Sequence, residues 1–167
     1  MATPTTLPAS FVAGNILEAA QLNDLRGAFR VLQVVSFNTT ASSSGTTIST
    51  ATYTATGLTA TITPQSATSN ILIFVNQANR KTNANAATEV QSRLYRGASP
   101  VTTANTVSTC YTNTAMELRA QGSLMYLDNP ATTSATTYTM YGSNSGAGTV
   151  SFDFFSSSSM VLMEISA

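Results

Sequence analysis

The chain has 167 residues, enough for one well-formed core and too few for two ordinary domains. Seven Lys/Arg balance seven Asp/Glu, so there is no basic footprint for nucleic acid or an anionic membrane surface. Histidine is absent, which excludes a Ser-His-Asp or Cys-His arrangement, the commonest proton shuttle and Cys/His zinc sites.

The 29 Thr and 21 Ser set the expected fold class. β-Branched Thr suits a pleated strand, whereas Ser and Gly populate turns. Apolar residues make up 43% of the chain, more than a disordered Ser/Thr-rich segment carries. A single cysteine, Cys110, permits no internal disulfide; it reads as a small buried hydrophobe made in a reducing compartment. The opening MATPTTLPAS has neither the basic nor the apolar region of a signal peptide. No apolar run approaches the ~20 residues of a membrane helix.

In chain order, residues 1–13 are small, polar and proline-containing (Pro4, Pro8) and read as an extended arm. Asn15 with Glu18 three residues later has the spacing of a capping box, and Gly27 is a natural stop. The intervening Ile16, Ala19, Ala20 and Leu22 predict a helix of about three turns, too short to stand alone in water. It must dock on its own β domain or on another subunit. The expected organisation is therefore an N-terminal arm and short helix over residues 1–30 and a β-sandwich domain over 31–167.

The β region opens at Val31–Phe37 and continues through Thr-rich stretches at 48–55 and 58–63, the last ending at Pro64. Ile71-Leu72-Ile73-Phe74-Val75 is a continuous apolar run, the pattern of a central strand covered on both faces. From Glu89 to Arg96 the alternation is clean, with Val90, Ser92 and Leu94 on one side and Glu89, Gln91, Arg93 and Tyr95 on the other. Further strands are expected at 101–111, 115–127, 135–142, 149–155 and 160–165. Asp128-Asn129-Pro130, Gly142–Gly148 and Ser156–Ser159 supply turn chemistry between them. Nine or ten short strands at this spacing predict an all-β, antiparallel sandwich of jelly-roll-like type behind the helical arm.

Chemistry is scarce. A carboxylate pair of the glycosidase type is the one catalytic route left open. Each acid has a structural account: Glu18 and Asp24 belong to the arm, Asp128 starts a turn, and Glu89, Glu117, Asp153 and Glu164 read as outward strand residues. No enzyme activity, cofactor or structural metal is expected. Tyr95, Tyr111, Tyr126, Tyr138, Tyr141, Phe152, Phe154 and Phe155 read as cross-strand packing, with glycan binding as the functional alternative. Arg80, Lys81, Arg93 and Arg96 form the local basic grouping, too small for nucleic acid and expected to pair across an interface.

Two parts of the chain carry a resemblance. The arm, Phe11-Val12-Ala13-Gly14-Asn15-Ile16-Leu17-Glu18-Ala19-Ala20-Gln21-Leu22-Asn23, resembles the G-x-x-L-x-A-A-x-L-N opening seen in many tailed-phage virion proteins. Leu58–Pro64 running on to Ser69-Asn70-Ile71-Leu72, Tyr126–Thr133, and Ser159–Ile165 resemble β-rich phage virion proteins, cyanophage ones among them. The resemblance implies a homotrimer made in the host cytoplasm and located on the virion, where its partners are copies of itself and capsid or tail subunits. A head decoration or head-fibre role comes ahead of a tail-fibre or receptor-binding role, for which a host-surface glycan would be the partner. Phe11, Val12, Ile16, Leu17, Ala20, Leu22 and Leu25 are the expected anchoring contacts.

Overall fold

The fold is that of a computed structural model, which describes residues 31–82, 87–102, 107–146 and 148–166. The predicted arm and helix, with all seven anchoring residues, lie outside the described residues. The body is all-β: β1 (Val31–Asn38), β2 (Thr46–Ile48), β3 (Thr54–Ile62), β4 (Asn70–Lys81), β5 (Thr88–Arg96), β6 (Ser99–Pro100), β7 (Val107–Thr112), β8 (Leu118–Asp128), β9 (Thr136–Asn144), β10 (Val150–Phe152) and β11 (Ser159–Ile165). The named strands pair antiparallel throughout and form two sheets, giving the expected sandwich.

The larger sheet is built around β4. One edge of β4 pairs with β8 along its whole length; the other pairs first with β11 and then with β10. β1 completes the sheet beyond β11, and β2 lies beyond β10. The smaller sheet runs β3-β9-β5, with β6 and β7 sharing the far edge of β5.

Between the sheets lie Leu58, Ala60 and Ile62 of β3, Ile71, Ile73 and Val75 of β4, Leu94, Tyr138, Met140, Met160 and Leu162. A second cluster of Ile48, Val90, Cys110, Val150 and Phe152 fills the other end. Each large side chain taken fully out of water here contributes roughly 2 kcal/mol. Cys110 is buried, and the alternation read for β5 holds, with Val90, Ser92 and Leu94 inward. Threonine serves the outer face of the smaller sheet, where Thr59 and Thr61 pair hydroxyl to hydroxyl with Thr139 and Thr137, each at 2.8 Å.

Polar ties cross the core. Gln77 on β4 donates to Thr56 Oγ1 at 2.8 Å, and Thr56 donates to the Met140 carbonyl at 3.0 Å. Tyr138 on β9 donates to Asp128 Oδ2 on β8 at 2.6 Å, and Arg96 Nη1 donates to the same oxygen at 2.7 Å. Burial first, and then this hydrogen bond, push the Tyr138 phenol far above its ordinary value.

Two acids sit differently from the expectation, and a third, Asp128, ends β8 where the expected turn begins and is buried there. Asp153 is buried beyond β10 at φ 62°, where its carboxylate accepts from Ser158 Oγ. Glu164 points inward while its neighbours Met163 and Ile165 lie on the outer face. It is tolerated there because Gln33 Nε2 (2.6 Å) and the Gln65 (2.8 Å) and Ser66 (3.2 Å) amides donate to its carboxylate.

Those donors outweigh the burial that would raise the Glu164 carboxyl, holding it below its ordinary value of 4.5. A carboxyl lowered on folding binds more protons in the unfolded chain, so its stabilisation is full above the ordinary value and lost as pH falls through the folded value. Urea midpoints between about pH 3 and 6 should therefore fall on acidification, and Glu164→Gln should flatten that fall. An unchanged slope in the variant would place the acid sensitivity elsewhere.

Candidate functional site

Continuous apolar sequence in β4 predicts cover on both faces. Its inward face meets the core, but its outward face has no cover among the described residues. The strand register assembles that face. Leu72 lies between Leu127 and Met163, and Met163 opposite Val34, making one row across β8, β4, β11 and β1. In the next row Phe74 lies between Met125 and Val161, with Ser36 beyond. Val31 and Ile165 pair beside Asn70 at one end.

Met125 is 68% exposed, Leu127 and Val34 56% each, and Phe74 39%. An outward sheet face normally reads polar, as the Thr-bearing face of the smaller sheet does. A contiguous apolar patch of this kind, rimmed by polar side chains, marks an interaction surface. The rim is neutral: Asn38, Asn76, Ser123 and Ser159 form the next row, and Asn70 accepts from Asn129 at 3.1 Å. The inward turn of Glu164 and Asp128 is the counterpart of this outward apolar face. In both strand ends an acid goes in and its apolar neighbour comes out.

Beyond the neutral row the surface changes character. Arg80 on β4 and Arg119 on β8 are direct cross-strand neighbours, and Glu117 bridges them at 2.7 and 2.5 Å. The Arg80 hydrogen bond, with Arg119 assisting, holds the Glu117 carboxyl below its ordinary value. Both guanidiniums lie over the Phe154 ring, at 3.7 and 4.8 Å from its centroid. Phe155, 62% exposed at φ 51°, forms a ridge beside an open cleft of about 330 Å³ lined by Ala78, Arg119, Gln121 and Ser156. The Phe155 amide donates to the Ser42 carbonyl and the Ser42 amide to the Asp153 carbonyl, each at 2.9 Å, and with the Gln121–Ser156 contact at 2.7 Å these fix the ridge.

The basic grouping read from the sequence is dispersed, and its pairing is within the chain. Arg80 serves Glu117, Arg96 serves Asp128, and Arg93 lies 4.2 Å over the Tyr53 ring. Lys81 is fully buried, donating to the Thr114 and Met116 carbonyls at 3.2 and 3.3 Å. Period-two alternation puts Arg80 and Lys81 on opposite faces, which the clustering in sequence conceals. Among the aromatics, Tyr138 and Phe152 are core, while Tyr95 and Tyr141 stack at 4.1 Å on the outer face of the smaller sheet. None of the described acids weighed for a carboxylate pair, Asp128 and Asp153 included, lines the cleft. Among the described residues no group of three His, Cys, Asp or Glu is placed to hold a metal. No protein-family model matches the chain, and no curated protein matches it in sequence.

The sequence signal for the face was present in the Ile71–Val75 run. The contributions of Met125, Leu127, Val34 and Met163 depend on long-range register and were not legible.

Proposed function

We propose that this chain is a non-enzymatic virion structural protein of a tailed phage, a homotrimeric capsid decoration protein of the cement or head-fibre kind, anchored to the particle through its N-terminal arm. The observation that carries the reading is the apolar outer face of the larger sheet, which a lone chain would expose to water. Strand order adds support. Leaving out the short β2, β6 and β10, the long strands lie first-eighth-third-sixth in one sheet and second-seventh-fourth-fifth in the other. We read this order as jelly-roll wrapping, an architecture that serves viral capsid domains as well as lectins and cupins. The resemblance of residues 14–23 and of the later strand segments to phage virion proteins supplies the phage part of the proposal.

Deleting residues 1–27 should leave a folded trimer that no longer joins particles. Normal incorporation of the truncated protein would overturn the anchoring role. A second reading, a tail-fibre or receptor-binding module, draws on the stacked Tyr95 and Tyr141 with Tyr53 and Arg93 beside them. Aromatic rings among hydroxyl and amide groups are suited to a host glycan. Selective binding on a glycan array would favour it over decoration.

A further inference from the structure

We propose that the apolar outer face of the larger sheet is the surface on which a second copy of this chain docks, leaving residues 1–30 for the particle. The inference rests on the assembly reading above and names the surface that makes the assembly.

Three observations select a second copy as the occupant. The first is charge. Where a patch lies against the threefold axis, identical side chains of the copies converge there, and like charges among them oppose association. The face formed by Val34, Leu72, Phe74, Met125, Leu127 and Met163 is uncharged, and its flanking row is Asn and Ser. Amides and hydroxyls both donate and accept, so such a rim can pair with its own copy. The outer face of the smaller sheet, by contrast, carries Glu89 and Arg93. The N-terminal 30 residues carry Glu18, Asp24, Arg26 and Arg30, for which the neutral face offers no counter-charge.

The second is size. Four strands about 4.8 Å apart, over seven residues rising about 3.3 Å each, give a footprint of roughly 20 by 23 Å. Flat, that is about 460 Å², near the ~500 Å² per partner at the lower bound of a specific interface, and side-chain corrugation adds to it. Its layout, an apolar centre with a polar rim, is that of an interface core.

The third is the two edges. Among the described residues β1 pairs only with β11, and β8 only with β4, so the face is bounded on both sides by a strand with one unpaired edge. Exposed edges next to an apolar face invite uncontrolled pairing. A neighbouring copy that overhangs the face obstructs the approach of a further strand to these edges without pairing them.

The test uses the full-length protein and measures its mass in solution by light scattering. The wild type should run as a multiple of 17.4 kDa. Met125→Glu with Leu127→Glu should reduce it to a single chain with an unchanged far-ultraviolet spectrum, because neither side chain is in the core. Thr61→Glu, exposed on the other sheet, should leave the assembly intact. A doubly substituted protein that keeps the wild-type mass overturns the inference while the assembly reading survives. A monomeric wild type overturns both. A monomer in which residues 1–30 resist protease, and lose that resistance in the double variant, shows the face covered by its own chain and likewise overturns the proposal. If the double variant does not fold, Met125→Cys decides. Cys110 is fully buried, so a short bismaleimide should join two copies through residue 125, and failure to join them counts against the proposal.

Discussion

Gly142→Ala is expected to lower stability by about 3 kcal/mol, the upper range for forcing an extra methyl into a packed core. A Cβ at this position would lie 2.3 Å from two ring carbons of Phe152 and 3.2 Å from Ile48 Cδ1. Flexible side chains can retreat from such a clash, but Phe152 is fully buried on β10 among Ile48, Val90 and Val150. The ring can move only by displacing that cluster. Trimming the ring should therefore relieve part of the damage. Phe152→Leu alone leaves a cavity and is destabilising, yet in the Gly142→Ala background it should cost less than alone. Urea denaturation of the four proteins in this cycle checks the coupling. Strict additivity would show that the Phe152 ring is not what excludes the methyl group.

A comparable loss, again about 3 kcal/mol, is expected for Asp128→Ala, because it strands a buried donor. Tyr138 is fully buried, and its hydroxyl and the Arg96 guanidinium both use Asp128 Oδ2. Without the carboxylate the phenol keeps its desolvation cost and loses its acceptor. Tyr138→Phe removes donor and desolvation cost together and leaves Asp128 paired with Arg96, so it should cost only about 1 kcal/mol. The same asymmetry predicts that Tyr138→Phe partly rescues Asp128→Ala. Equal losses for the two single variants, measured by chemical denaturation, would argue that Asp128 acts through Arg96 alone.

These two sites show which features the sequence made legible. Local periodicity was reliable where it was clean: Val90, Ser92 and Leu94 are inward, as alternation requires, and the strong β4 run is central. What failed was the assignment of side, not of period. In β11 the alternation was read with Glu164 outward because a carboxylate next to apolar residues usually faces water. Its inward orientation depends on Gln33 and on the Gln65 and Ser66 amides, 131, 99 and 98 residues away, which no window on the sequence contains. Gly142 closes the strand expected over 135–142 and opens the turn expected over 142–148; the strand runs on to Asn144, and the approach of Phe152 selects glycine there. The assembly face was half legible. The apolar run of β4 predicts cover on both faces, and the described residues supply it on the inner face only.

The neighbouring placement of β1 and β11 has a consequence in time. Residues 34 and 163 share a row of the outer face although almost the whole body of the chain separates them. Val161 and Met163 join the β1 side of that surface to the β4 side only when the last strand takes its place. Contacts that span such sequence distances form late. A chain still emerging from the ribosome therefore lacks the finished outer face until residues 159–165 have been made.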